Sequence, residues 1–266
     1  MSSTPRRGDV SLRPLVGDEV YIAERALEEG MTVCSFVIFG TDTAVVVDTL
    51  TCTADMRGVR DLLKERGLPW FVVNTHADWD HVWGNGAFAG ETIIAHRLSR
   101  AAMLREGPRI LSRKRAEEPG RFDDVTITPP TVTFTEFMEI DLGGLTLVIE
   151  YLPGHSADEC VVHLPELGLL IAGDAAEWPI PTAHSGPLGT WADALRQWAA
   201  REDVRTVVPS HGPVSDAQLL LDNADYLDAL LDDPALVWQA PSDAAYFYED
   251  AHEMNADLAR KERDRP

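Results

Sequence analysis

A chain of 266 residues with 45% apolar content can bury a sizeable core, and one domain is the expected organisation. Its formal net charge of −21 opposes binding to phosphate backbones, so nucleic acid is not an expected partner. No apolar run approaches the roughly 18 residues that span a bilayer, and the polar start Met1-Ser-Ser-Thr-Pro-Arg-Arg7 lacks an apolar signal core.

No membrane partner is therefore expected, and the chain reads as cytoplasmic. The three cysteines, Cys34, Cys52 and Cys160, are odd in number and show no Cys-x-x-Cys spacing, which argues against a disulfide framework.

Residues 1–18 read as a flexible lead-in and 19–266 as a single domain. Apolar runs predict strands over 19–24, 32–39 and 43–48, with Gly40-Thr41-Asp42 as a tight turn. The spacing of Met56, Val59, Leu62 and Leu63 predicts a helix over 53–66, stopped by Gly67. A strand over 70–74 runs directly into a loop rich in His and Asp. A short strand over 92–95 precedes a helix beginning near His96. Residues 103–130 are charged, contain proline and carry the basic cluster Arg113-Lys114-Arg115; they read as a helical surface excursion joining two strand-rich halves. Further strands are predicted over 136–142, 145–152, 160–164, 169–172 and 206–209, with helices over 191–200 and 215–231 and a helical tail from about 244. Strands in blocks, interrupted and followed by amphipathic helices, imply an α/β (α+β) chain of two mixed sheets with helices outside.

The stretch Asn74-Thr-His76-Ala-Asp78-Trp-Asp80-His81-Val-Trp-Gly84-Asn85 places four potential metal ligands within six positions, directly after an apolar strand. A loop at a strand's end can turn several side chains toward one point, which a regular helix or strand cannot. Neutral imidazole and carboxylate are both common metal donors. Three further ligand types sit where a strand ends beside a glycine: His155 in Pro153-Gly154-His155, Asp174 in Ala172-Gly173-Asp174, and His211 in Pro209-Ser210-His211-Gly212. Four other histidines fit less well: His96 reads as a helix-start residue, His163 lies inside a strand, His252 lies in the tail, and His184 sits in a Gly- and Pro-containing loop where it could face substrate. Trp79 and Trp178 flank ligands and could wall a pocket.

In these motifs the chain resembles the metallo-β-lactamase superfamily, whose pattern is His-x-His-x-Asp-His, then Gly-His, then Gly-Asp, then His. The resemblance covers roughly residues 18–232 and implies a four-layer αββα sandwich and a dinuclear metal-dependent hydrolase. Carried over, it implies that His76, Asp78 and His155 hold one metal, Asp80, His81 and His211 the other, and that Asp174 bridges both. Asp80 would also orient a metal-bridging hydroxide for attack on a small ester, thioester, lactone or amide. Asp48, ending the run Val-Val-Val-Asp, resembles the family's acidic residue beneath the metal loop.

One residue departs from the pattern: Asp78 stands where the family has its second His. With two divalent ions and a hydroxide, a third carboxylate lowers the net site charge from about +1 to about zero, which favours harder ions. Zinc is the expected metal, with iron or manganese admitted by Asp78. Two alternatives follow: an iron-dependent redox protein resembling the superfamily's diiron branch, and a phosphodiesterase acting on a small substrate.

Overall fold

The structure, a computed structural model, describes residues 10–28, 31–242, 244 and 247–264. Contacts divide them into two compact units, so the single domain expected over 19–266 is described here unit by unit. One unit comprises the described residues up to Leu27 with Val33–Thr146, the other Glu28–Thr32 with Leu147 onward.

The first unit is built on β1 (Val10–Val16), β2 (Val20–Glu28), β3 (Met31–Phe39), β4 (Ala44–Val47), β5 (Trp70–Val73), β6 (Ile93–His96) and β7 (Val132–Phe134). They form a seven-stranded sheet in chain order. β1 pairs antiparallel with β2, and β3 with β4, whereas β4 to β7 run parallel. The central strands β4 and β6 are buried at every position, as parallel strands covered on both faces must be, which is why they read as unbroken apolar runs. The helix expected over 53–66 opens as a 3₁₀ turn, Thr53–Met56, and continues as α1 (Arg57–Arg66), ended by Gly67 at φ 70°. A short turn of helix, α2 (Trp79–Val82), and the long α3 (Arg97–Glu117) complete the unit with the strand β8 (Phe137–Asp141).

Three expectations are corrected here. The lead-in is strand from Val10 onward: β1 lies at the sheet's edge, where Pro14 removes no ladder bond the sheet needs. Residues 1–9 lie outside the described residues. The strand expected to end at Glu24 continues to Glu28, because the buried Arg25 pairs with buried Asp55 and so carries a charge into the interior. Segment 103–130 is not merely a surface excursion. Met103, Gly107 and Leu111, four residues apart, give α3 a buried face within its charged sequence. Met103 and Leu111 then pack with Phe122, Val125, Val82 and Trp83.

The second unit contains the run β12-β11-β10-β9, formed by β9 (Thr146–Tyr151), β10 (Cys160–Leu164), β11 (Leu169–Gly173) and β12 (Thr206–Pro209). β9, β10 and β11 are antiparallel, and β12 joins β11 in parallel. Helices α4 (Leu188–Ala199), α5 (Ala217–Asp232) and α6 (Phe247–Arg263) share a core around Trp191, Leu195, Trp198 and Leu227. The helical tail is therefore α6, tied into that core by Tyr248, Ala251 and Ala256; residues 245–246 and 265–266 lie outside the described residues.

Candidate metal centre

In the first unit the metal-type loop hangs between the ends of β4 and β5. Asp48 leaves β4 at φ 58°, a left-handed conformation uncommon outside glycine that Asp tolerates better than most. Its carboxylate is wholly buried. Oδ1 accepts the Thr75 amide at 2.8 Å and Oδ2 accepts the Thr75 hydroxyl at 2.7 Å. The His81 Nδ1 lies 3.0 Å from the same Oδ2. An ionised carboxylate only accepts, so His81 must donate through Nδ1–H and keep its lone pair on Nε2. The same logic passes to His76. Thr75 gives its hydroxyl proton to Asp48, so the 3.0 Å contact with His76 Nδ1 is donated by the imidazole. The expected structural role of Asp48 is thus to set the tautomers of two histidines, an arrangement typical of metal-ligating imidazoles.

The loop's backbone is held by close packing. Thr49 donates its amide to the His81 carbonyl at 2.7 Å, and Gly84 passes so near the Thr49 carbonyl that any Cβ there would collide. The His76 and His81 rings meet at a tilt of 48°, with 4.1 Å between their centroids. Asp80 is buried. Asp78 Oδ2 lies 3.8 Å from His76 Nε2, and its side chain is 43% exposed, which makes it the most solvated of the seven expected ligands. Trp79 packs edge-on against Trp83 and Phe122, at 5.6 and 5.8 Å, with the Lys114 ammonium 4.2 Å over its ring. Arg115, in the same basic cluster, donates to the carbonyls of Phe122 and Val125 at 3.0 and 2.8 Å.

In the second unit three of the expected ligands gather at the ends of β9, β11 and β12. Gly154 lies against the Trp191 indole, with no room for a Cβ, and this contact fixes the turn that carries His155. His155 Nδ1 is 2.6 Å from the Thr182 carbonyl and His211 Nδ1 is 2.6 Å from the Thr32 carbonyl. A carbonyl cannot donate, so both rings carry Nδ1–H and present Nε2. Those Nε2 atoms lie 3.6 and 3.4 Å from Asp174 Oδ2. Two imidazole lone pairs and a carboxylate, all buried and facing one another, repel unless a cation or proton lies among them. The donor set therefore fits a metal ion.

Glu177 was not singled out by its sequence, yet it belongs to this group. Its carboxylate oxygen lies within 4.8 Å of a His155 ring nitrogen and of an Asp174 carboxylate oxygen, and it is buried. Burial pushes its carboxyl up from the usual range, the Asp174 charge pushes further, and His211 and His155 oppose both. The available signal was a lone carboxylate inside the apolar stretch Ala175-Ala-Glu177-Trp178. His184 is exposed; its amide donates to the His155 carbonyl at 2.7 Å, and its ring meets that of His155 at 4.8 Å. Trp178 is half-buried, with its amide 3.3 Å from the His211 carbonyl. His96 bonds the Thr135 carbonyl and His163 the Asp203 carbonyl, both as structural residues.

Two mixed sheets with helices, and histidines whose Nδ1 atoms are anchored at strand ends, define an α/β protein with a candidate metal centre. The chain belongs to the metallo-beta-lactamase superfamily, whose model matches residues 27–211. Among its relatives, the acyl-coenzyme A thioesterase MBLAC2 of Gallus gallus is 26% identical over 78% of this chain and 82% of its own length. A metallo-beta-lactamase type 2 of Bacillus sp. (strain 170) is 31% identical over 59% of this chain and 56% of its own. The solved metallo-beta-lactamase from Pontibacter korlensis aligns with a TM-score of 0.63 at 22% identity, covering 82% of this chain and 99% of that one. The fold class is that of these proteins, and the chain is a metal-dependent hydrolase.

Proposed function

We propose that the chain is a dinuclear thioesterase acting on a small thioester, with esters, lactones and amides as chemically related substrates. The ligands in this reading are His76, Asp78 and His155 for one cation, Asp80, His81 and His211 for the other, and Asp174 for both. The observation that carries it is the lone-pair geometry: four imidazoles each anchored through Nδ1, two of them facing Asp174 Oδ2 within 3.6 Å. When bound, the cations supply Lewis acidity and acidify a water molecule. Asp80, buried and acceptor-only when ionised, would orient that water and take its proton on a carboxylate oxygen. His184 and Trp178, beside His155 and His211, would contact the substrate; Trp79 is assigned the same role through its place between Asp78 and Asp80.

Preference for a thioester rests on the thioesterase relative, which matches more of this chain than the lactamase relative does. The chemistry is compatible, since a thiolate leaves readily without a strong general acid. Zinc is the proposed metal. The three cysteines are buried, and the cytoplasm is the proposed compartment. No helix among the described residues is long and apolar enough to cross a membrane. A small molecule is the proposed partner, with no nucleic acid.

One observation favours a second reading. Asp78 is a third carboxylate where an imidazole would keep the site more positive, which suits iron or manganese. Elemental analysis of protein purified without added metal, followed by assay of the chelator-stripped and zinc-, manganese- or iron-restored forms against thioesters, esters, lactones and phosphodiesters, tests both. Thioester hydrolysis that vanishes on stripping and returns with zinc supports the first. Stoichiometric native iron with no hydrolysis supports the second, and hydrolysis indifferent to metal removal overturns the proposal.

A further inference from the structure

The C-terminal helix α6 lies far along the chain from every ligand, yet the hydrogen bonds of the second unit run from it to His155. The Thr182 carbonyl that fixes the His155 tautomer sits in the segment following Asp174. That segment is held from two directions. Glu177 Oε1 accepts the Thr182 amide at 3.0 Å, and Glu177 Oε2 accepts the Tyr248 hydroxyl of α6 at 3.2 Å. Asn255, about two turns further along α6, accepts the Ala183 amide at 2.8 Å and donates to the Pro181 carbonyl at 2.7 Å. Residues 181–183 are thus gripped on both sides of the carbonyl that His155 uses.

Glu177 is itself locked. Its amide donates to Asn223 Oδ1 at 2.9 Å, and Asn223 Nδ2 returns a bond to the Glu177 carbonyl at 3.0 Å. With Oε1 and Oε2 committed to Thr182 and Tyr248, the carboxylate is set to hold the frame around a ligand. Its Oε1 stands 3.9 Å from His155 Nδ1, beyond hydrogen-bond reach, so it acts on the ring through the Thr182 peptide that it holds.

We infer that Glu177 is a positioning residue of the metal centre and that α6, through the Tyr248 hydroxyl, is the element that holds it in place. This rests on the reading of His155 as a metal ligand. It assigns a metal-centre function to two residues outside the ligand motifs, one of them outside the segment matched by the family model.

The test uses the full chain, zinc as probe, and two substitutions of different severity. Glu177→Gln keeps the side-chain size and the acceptor for Thr182 but sets an NH₂ against the Tyr248 hydroxyl that Oε2 accepts. Tyr248→Phe removes one hydroxyl and leaves the packing of α6. Met254→Ala, at an exposed position of the same helix, serves as control. Zinc dissociation constants are measured by competition with a chromophoric chelator, alongside unfolding of the metal-free proteins. The expected result is roughly tenfold weaker zinc binding in each of the first two variants, with far-UV circular dichroism unchanged and with kcat restored at excess zinc at an unaltered KM. Wild-type affinity in both variants overturns the inference. So does a lower unfolding midpoint of the metal-free protein with no change in affinity, which would make the network architectural only. A wild-type chain that binds no zinc, iron or manganese would instead overturn the metal reading beneath it.

Discussion

His81 Nδ1 stands 3.0 Å from Asp48 Oδ2, and that carboxylate, buried at the end of β4, also receives both the amide and the hydroxyl of Thr75. Three donors converge on one acceptor-only group. A side-chain amide in its place cannot satisfy all three: whichever way it turns, its NH₂ meets a donor. Asp48→Asn is the informative substitution because Asn has nearly the same size and tolerates the left-handed backbone at φ 58°. We expect the variant to fold and to bind zinc about 10- to 100-fold more weakly, as metal centres do when a supporting carboxylate is lost. A zinc titration beside a far-UV spectrum checks this. Undiminished affinity would show that His81 needs no anchor.

Gly154 offers a test of the scaffold without touching a ligand. Its Cα lies against the indole of Trp191, a buried residue of α4, so that a methyl group there would overlap the ring. Gly154→Ala must displace either the indole, which donates to the Ala175 carbonyl at 3.0 Å, or the turn bearing His155. Overpacking of this kind costs about 1–3 kcal/mol. The expected outcome is a lower denaturant midpoint at unchanged m-value, together with weakened metal binding, since His155 is the next residue. A variant as stable as wild type would mean that α4 moves freely against this turn.

The proposed ligand residues could be picked out in the sequence because strand-end loops flanked by glycine leave a local signature: His76 to His81, His155, Asp174 and His211 could each be named from their immediate neighbours. What supports them was not. Glu177 and Tyr248 meet across 71 positions of sequence, and no local pattern marks such a pair. The same limit explains the fold errors. β1 looked irregular because an edge strand needs little apolar alternation, and the buried face of α3 was masked by seven basic residues around Met103, Gly107 and Leu111. Arg25 looked like a strand's end because its partner Asp55 lies 30 positions away.

His163 makes stability depend on pH. It is wholly buried in β10, bonded through Nε2 to the Asp203 carbonyl at 2.9 Å, with the Arg201 guanidinium 3.5 Å from Nδ1. Burial, with a smaller contribution from Arg201, holds its pKa below the ordinary 6.5. The unfolded chain therefore takes up this proton first as pH falls. The stabilisation from keeping the ring neutral is complete above about 6.5 and is lost progressively below it, until the folded-state value is passed. His163→Gln, which cannot titrate, should lose less stability than wild type between about pH 7.5 and 5.5. Urea unfolding at several pH values, read as the difference between the two proteins, isolates this residue from the other histidines. Parallel curves for both would show that the ring titrates alike in the folded and unfolded chain.

Removing metal should cost stability as well as activity. In the second unit His155 Nε2 and His211 Nε2 face Asp174 Oδ2 at 3.6 and 3.4 Å, all three groups being buried. Without a cation this arrangement is repulsive or must take up a proton, so the metal-free fold is strained where the ends of β9, β11 and β12 meet. Ligand linkage gives the scale: at free metal about 100 times the dissociation constant, binding stabilises the folded state by about 2.7 kcal/mol. For a chain of this size that corresponds to roughly 5–10 °C in Tm. Calorimetry after exhaustive chelation, and again after zinc is restored, should show that drop and its reversal. Asp174→Asn should raise the Tm of the metal-free protein, by relieving the charge, while abolishing the gain on adding zinc. The opposite pair of shifts, a less stable metal-free variant that still gains from zinc, would show that Asp174 serves the fold and not the cation.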